Sequence, residues 1–443
     1  MMKVLLISLG CDKNRVDSEH MLGILSERGH VIVDDENEAE AIIVNSCCFI
    51  GDAKEESINT ILEMAEYKKS GKLKRLIVTG CLAQRYAAEI KTDMPEVDAI
   101  VGTTAFDAIA DALEEKGFCE RLESIDRLVP GSKRIISGES YVSYLKIAEG
   151  CGKHCTYCVI PSVRGNYRSV PLEELLREAE ILAENGCSEL ILVAQETTLY
   201  GTDLYGKKSL HVLLEKLSDI EGINWIRVMY CYPEEIYDEL LDTMAANKKI
   251  VKYLDIPVQH ASDRILKAMG RKTNRKGILS VLEKIRKKIP QIALRTSLIT
   301  GFPGETEEDV EILKEFIREA GFARIGVFTY SREEQTPAAL MDGQITEREK
   351  KRRRKEIMQL AAGLSKQRLK SMVGKSIDVI IEGYMPDEDI YVGRSYMDAP
   401  EIDGCVFVFS EEKHMSGEIV NVLITGADKY DLTGEILKNE SSE

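Results

Sequence analysis

Short, nearly unbroken apolar runs alternate with amphipathic stretches along most of the chain. In residues 1–120 the runs fall at 4–8, 41–45, 76–79 and 99–101, and helical periodicity fills stretches such as 18–28 and 53–69. Runs that stay apolar at every position belong to strands covered on both faces, so the pattern predicts a doubly wound α/β domain built on a parallel sheet. A charged, irregular stretch at 121–139, containing Pro130-Gly131, reads as a linker. The alternation resumes in residues 140–371, with apolar runs at 142–148, 190–194, 225–230, 253–258, 293–300 and 325–330 and helical stretches including 171–184 and 307–319. Six βα units in succession predict a partial (β/α)6 TIM-like barrel rather than an eightfold one. A long charged helix at 346–371 closes this segment. From 372 to 437 the helical period disappears, and β-branched runs at 377–381, 406–409 and 418–424 predict a small antiparallel β-barrel. The fold class is α/β, without internal repeats.

With 443 residues, 44 % of them hydrophobic and 30 % charged, the chain has apolar material for several cores, which excludes a disordered protein. No apolar run approaches the ~18 residues of a membrane span, and the apolar start is shorter than a signal peptide needs. The chain is therefore expected in the cytoplasm, without a membrane partner. Eleven cysteines in a reducing compartment point away from disulfides and toward metal or redox chemistry.

Cys151, Cys155 and Cys158 stand in Gly150-Cys-Gly-Lys-His-Cys-Thr-Tyr-Cys-Val159, directly after the first strand of the predicted barrel. Three thiolates at spacings of four and three can wrap one iron-sulfur cube and leave its fourth iron without a protein ligand. The alternative is a zinc knuckle or three unrelated thiols; zinc wants a fourth ligand, and His154 inside the loop is poorly placed to give one. Cys11, Cys47 and Cys81 each follow a predicted strand of the amino-terminal domain, 36 and 34 positions apart. The carboxyl ends of successive parallel strands line one edge, so these three can converge as a second three-thiolate site. Taken singly, each is also a plausible small apolar residue at a crowded turn. Cys48, Cys119, Cys187, Cys231 and Cys405 read as structural, Cys48 because neighbours on an extended backbone point opposite ways.

The cysteine spacing resembles the signature of the radical S-adenosylmethionine enzymes. The two triads in this order, followed by a β-barrel, resemble the methylthiotransferases over nearly the whole chain. The segments that carry the likeness are Ser8-Leu-Gly-Cys-Asp-Lys-Asn-Arg-Val-Asp-Ser-Glu19, Asn45-Ser-Cys-Cys-Phe-Ile50, Val78-Thr-Gly-Cys-Leu-Ala-Gln-Arg-Tyr86 and the cluster loop through Arg164-Gly-Asn-Tyr-Arg-Ser169. Cys48 and Val170 depart from the family pattern, which usually has Gly and Arg there, and neither is a ligand. The family has two relevant branches, one acting on an isopentenylated adenosine of transfer RNA and one on an aspartate of ribosomal protein S12. Cys11-Asp-Lys-Asn14 and the segment from Asp255-Ile-Pro-Val-Gln-His-Ala to Met269 look like the second.

The resemblance implies two [4Fe-4S] clusters, S-adenosylmethionine held at the open iron of the Cys151, Cys155 and Cys158 cluster, and a TRAM-like carboxyl-terminal barrel. It places Tyr157 against the adenine. It also implies a deoxyadenosyl radical that activates the aspartate β-carbon, and sulfur presented by the cluster on Cys11, Cys47 and Cys81 and methylated by a first S-adenosylmethionine. A side-chain methylene is too weakly acidic for an ordinary base, so homolysis by a cofactor suits it. The clusters would share one cavity, with the α/β domain over the barrel mouth. Gln195, foremost, and Glu196, Gln259, His260 and Thr300 are candidates for holding cofactor or substrate there, or for packing roles. Readings from other classes are a non-catalytic iron-sulfur electron carrier and a ribosome-assembly factor. A reducing electron donor is required for the catalytic reading.

Charge bears on the partner. The chain carries 59 basic and 75 acidic residues, net −16, and residues 374–436 hold 14 acids and four bases, net −10. Such a barrel repels phosphates and suits a basic ribosomal protein, so nucleic acid is not the expected substrate. Alternatively the acids serve solubility. Against this stands the run Lys350-Lys-Arg-Arg-Arg-Lys355, which either contacts ribosomal RNA or, flanked by Glu347, Glu349 and Glu356, is a solvated helix face.

Overall fold

The computed structural model describes residues 1–129, 131 and 133–436. Pro130 and Ser132 of the expected linker and residue 437 of the expected barrel lie outside them. The chain divides into two compact units: residues 1–185 with 192–209 and 331–340, and residues 186–191 with 210–330 and 341–443.

The first unit opens with β1 (Lys3–Ser8), β2 (Val31–Ile32), β3 (Ala41–Ser46), β4 (Arg75–Thr79), β5 (Ala99–Val101) and β6 (Cys119–Arg121), in the order β2-β1-β3-β4-β5-β6. All the pairs are parallel. Successive strand residues serve opposite faces. Ala41, Ile43 and Ile77 meet Met21 and Leu25 of the helix Asp12–Glu27, whereas Ile42, Val44, Leu76 and Val78 meet Ile61 and Met64 of the helix Gly51–Glu66. Two covered faces explain the unbroken apolar runs, and the doubly wound arrangement is as expected. The first helix, however, begins at Asp12 rather than residue 18. Its first two turns bury Lys13, Asn14 and Asp17, so the apolar period that would reveal a helix is missing there.

Within the expected linker, residues 133–137 form a strap. Ile135 N donates to Glu19 O (3.1 Å), Ser137 N to Glu19 Oε1 (3.1 Å), and Arg134 pairs with Glu19 and Glu178. Beyond them lie β7 (Val142–Lys146) and the antiparallel pair β8 (Ala148–Glu149) and β9 (Arg168–Ser169). The last residues of β10 (Glu189–Val193) also belong here, with Ile147 N donating to Val193 O at 3.0 Å.

The second unit continues the barrel strands with β11 (Trp225–Val228), β12 (Ile250–Asp255), β13 (Ala293–Thr300) and β14 (Arg324–Thr329), ordered β14-β13-β12-β11-β10. Pairing from β11 to β14 is parallel. Next come β15 (Ser376–Met385), β16 (Ile390–Ser395), β17 (Val406–Phe409), β18 (Ile419–Ala427) and β19 (Leu432–Ile436), closed as β15-β16-β17-β19-β18. Four of its pairs are antiparallel, but β17 and β19 run parallel. An odd number of strands cannot alternate direction all the way round a closed ring, so one parallel pair is unavoidable.

β16 and the chain between it and β17 carry charges into the sheet of the same unit. Glu189 accepts from Arg227 (2.7 Å) and Arg394 (2.6 Å), Asp403 accepts from Tyr253 (2.9 Å), and Asp398 pairs with Arg324. The basic run on the helix Glu347–Lys370 corrects the expectation of a solvated face at two positions. Lys350 and Arg353 are buried, bonded to Tyr330 O (2.8 Å) and Glu305 (2.8 Å). No described helix is long and apolar enough to cross a membrane.

Candidate functional site

Cys11, Cys47 and Cys81 follow β1, β3 and β4, adjacent strands of one parallel sheet. The winding reverses at β1, and ligands of such sheets bind beyond the strands' carboxyl ends at that reversal. Two glycines let the three loops crowd together. Gly10, at φ +93°, leaves no room for a side chain, since a methyl there would lie 2.9 Å from Cys47 Sγ; one on Gly80, at φ +88°, would lie 2.3 Å from Asn45 Oδ1. Ser57 clamps Cys47, taking its N–H and donating to its C=O, both at 2.9 Å. Asn14 joins all three loops: Nδ2 donates to Leu9 O (2.9 Å) and Ser46 O (3.2 Å), while Oδ1 lies 3.9 Å from Cys81 Sγ.

Electrostatics report the same convergence. Burial pushes the Cys47 thiol up to about 12, with Cys81 and Cys11 adding to the rise. Burial likewise raises Cys81, against the pull of Arg164. In the other loop, burial pushes Cys158 up to about 12 and also raises Cys151. Neighbouring cysteines of the loop add to both rises, and Cys158 N donates to Cys155 O (3.0 Å). Neutral thiols grouped in this way become ligands when a metal displaces their protons. Among the described residues no three His, Cys, Asp or Glu converge as ligands of a single ion do; a cube spreads three thiolates over separate corners.

The Cys151 loop enters from β8 through Gly150 (φ +78°), where a methyl would strike Asn166 O at 2.1 Å, and Cys151 N donates to Gly165 O (3.0 Å). His154 is exposed at φ +50° and Tyr157 is half-buried. Gln195 donates Nε2 to Glu149 (2.8 Å), while its buried Oε1 has no partner among the described residues. Glu196 is buried and accepts from Thr198 N (3.0 Å).

Between the triads runs a buried set of charges to which the sequence reading assigned no role. Arg164 donates to Asp17 (2.8 Å), Glu149 (2.9 Å) and Asn14 Oδ1 (2.5 Å), and Lys146 donates to Glu149 (2.8 Å) and Asp17. Burial alone would raise the Glu149 carboxyl, but Arg164 and Lys146 hold it well below the usual carboxylate range. No local signal marked it, because polar residues such as Asn14 and Asp17 show their burial only through their partners.

Both triads, Tyr157, Gln195 and Glu196 lie in the first unit; Gln259, His260 and Thr300 lie in the second. Gln259 takes φ +70°. His260 is wholly buried, receives Ser262 N at Nδ1 (3.0 Å) and faces Glu305 (3.3 Å), which Arg353 also holds. Thr300 reaches Phe328 O at 3.4 Å. These contacts all lie within the second unit. Cys48 and Cys119 sit in the two apolar layers of the α/β sheet, Cys187 and Cys231 are buried, and Cys405 lies 3.4 Å from Asp431.

Residues 145–317 match the radical SAM superfamily, residues 3–102 the uncharacterized protein family UPF0004, and residues 373–437 the TRAM domain. Among solved structures, the radical S-adenosylmethionine methyltransferase TsrM from Kitasatospora setae shares the fold, with a TM-score of 0.56 at 15% identity over 76% of this chain and 77% of that one. The ribosomal protein uS12 methylthiotransferase RimO of Lachnoclostridium phytofermentans is 60% identical over 98% of this chain and 99% of its own. That of Acetivibrio thermocellus is 51% identical over 100% and 99%. At such identity across both chains, this chain belongs to the ribosomal protein uS12 methylthiotransferase family of the radical S-adenosylmethionine superfamily.

Proposed function

We propose that the chain methylthiolates the β-carbon of an aspartate in ribosomal protein S12. The identity to its relatives supports this most directly, and the gathering of Cys11, Cys47 and Cys81 at three adjacent strand ends is the observation that carries the second cluster. In this reading Cys151, Cys155 and Cys158 hold one [4Fe-4S] cluster and Cys11, Cys47 and Cys81 another. Bound there with S-adenosylmethionine, these groups supply a carbon radical for hydrogen abstraction and a sulfur for insertion. The donor set fits: each group offers three cysteine thiols, and Gln195 Oε1, without a partner among the described residues, is free to accept a hydrogen bond from S-adenosylmethionine. Tyr157 is assigned to the adenine. Ser57 and Asn14 hold the first triad's backbone, and Glu149 orients Gln195.

The domains are taken as 1–120, a connecting segment 121–139, 140–371 and 372–437. Ten of the fourteen barrel acids are exposed, against three lysines, and this surface suits a basic protein partner in the cytoplasm. A reducing electron donor supplies the electrons. The test is to incubate the anaerobically reconstituted enzyme with S12 and, separately, with isopentenyl-adenosine transfer RNA, then weigh both. A methylthio gain on S12 is expected; a gain on the RNA alone overturns the assignment. Gly10→Ala should strain a left-handed position by about 1–2 kcal/mol and push Cys47 aside, so iron per chain falls. Full iron content in that variant would show that the close approach is dispensable.

A further inference from the structure

We infer that Arg164 is a positioning residue for the cluster on Cys11, Cys47 and Cys81, tying that triad to the loop of the other one and placing a buried positive charge beside it. The inference rests on the two-cluster reading above. Arg164 ends the helix Ile160–Arg164, just after Cys158, and is 1% exposed. Its guanidinium donates to Asn14 Oδ1 at 2.5 Å, the same oxygen that lies 3.9 Å from Cys81 Sγ. Asn14 in turn grips Leu9 O and Ser46 O, the carbonyls that precede Gly10-Cys11 and Cys47. The other side of the guanidinium donates to Glu149, two residues before Cys151, at 2.9 Å. One rigid planar fork thus spans both cysteine loops, a geometry Lys cannot reproduce.

Arg164, Lys146, Asp17 and Glu149 make a charge-balanced set. Such a buried set is a weak source of stability, because well-packed apolar residues of the same volume serve as well or better. Its cost is therefore explained by what it does to its neighbours. Charge and hydrogen bonding near cluster sulfurs set the reduction potential, and outer partners hold ligands in place. Without Arg164 the set carries a net negative charge beside Cys81, which disfavours an added electron. Without the Asp17 charge it carries a net positive one, which favours it.

The test uses the full chain reconstituted with iron and sulfide, with an EPR-monitored redox titration of both clusters and a chelator challenge. Arg164→Gln should lower the midpoint potential of the N-terminal cluster and weaken its retention about 10- to 100-fold. Asp17→Asn should raise that potential. Arg164→Lys, which keeps the charge and loses the fork, should hold the potential near that of the unaltered chain while still losing iron faster. A purely structural role predicts shifts of the same sign in Arg164→Gln and Asp17→Asn, or none, and either result overturns the inference. If Arg164→Gln does not fold, the Asp17→Asn and Arg164→Lys potentials decide by the same signs. An unaltered chain that binds only one cluster overturns the two-cluster reading itself, whereas two clusters with unmoved potentials overturn this inference alone.

Discussion

Cys81→Ala is expected to leave about half of the iron bound and to abolish methylthiolation, while reductive cleavage of S-adenosylmethionine continues. Cys81 is the second residue of the helix Gly80–Arg85, buried beside Asn14 and Arg164. Two remaining thiols cannot cage a cube, so that cluster goes, whereas Cys151, Cys155 and Cys158 stand in a separate loop fastened by Gly165 O. The exchange removes one atom from a tight turn and should cost about 1 kcal/mol, too little to unfold the domain. The measurements are iron and sulfide per chain, deoxyadenosine formed, and the mass of S12. Undiminished iron in Cys81→Ala would mean that this triad binds no cluster. Loss of all the iron, with deoxyadenosine, would mean that the two loops fold only together.

The second large effect concerns stability. Glu189→Ala should destabilise the second unit by about 3–5 kcal/mol, because it leaves two buried guanidiniums without their shared carboxylate. Glu189 has no exposure, and Arg227 and Arg394 approach it from β11 and β16 at 2.7 and 2.6 Å. Burial alone would raise the Glu189 carboxyl, but Arg394 and Arg227 hold it below its ordinary range. A lowered folded value contributes stability above the ordinary carboxylate range, lost as pH falls through the lowered value. Urea midpoints of both chains should therefore differ widely at neutral pH and converge in acid. A constant gap down to strongly acidic pH would contradict that linkage. Truncation before β15 should be as damaging, since it strips Arg227 and Arg324 of partners carried by the β16–β17 segment. The small barrel is thereby part of its unit's core, and Asp398 and Asp403 are spent inside rather than offered to a partner.

Much of this was legible from one dimension. Strands buried on both faces announce themselves as unbroken apolar runs, and β5 and β13 occupy the predicted residues. The cysteine spacing 151, 155, 158 is local, so the chain alone dictates that those thiols share a loop. Convergence of Cys11, Cys47 and Cys81 followed from parallel-sheet topology, because strand ends share an edge whatever the side chains are.

Other features had no local signature. The first turns of the helix Asp12–Glu27 look non-helical because the residues that face inward, Asn14 and Asp17, are polar. Polar residues betray burial only once their partners are known, and their charged partners, Arg164 and Lys146, lie more than a hundred positions away. Similarly, Glu189, Arg227 and Arg394 each look like surface residues in sequence. The amino-acid order by itself determined the strands, the grouping of the cysteines after them and the family. Which charges are buried against which was decided only in three dimensions, because desolvated ions must be neutralised by whatever the fold brings beside them.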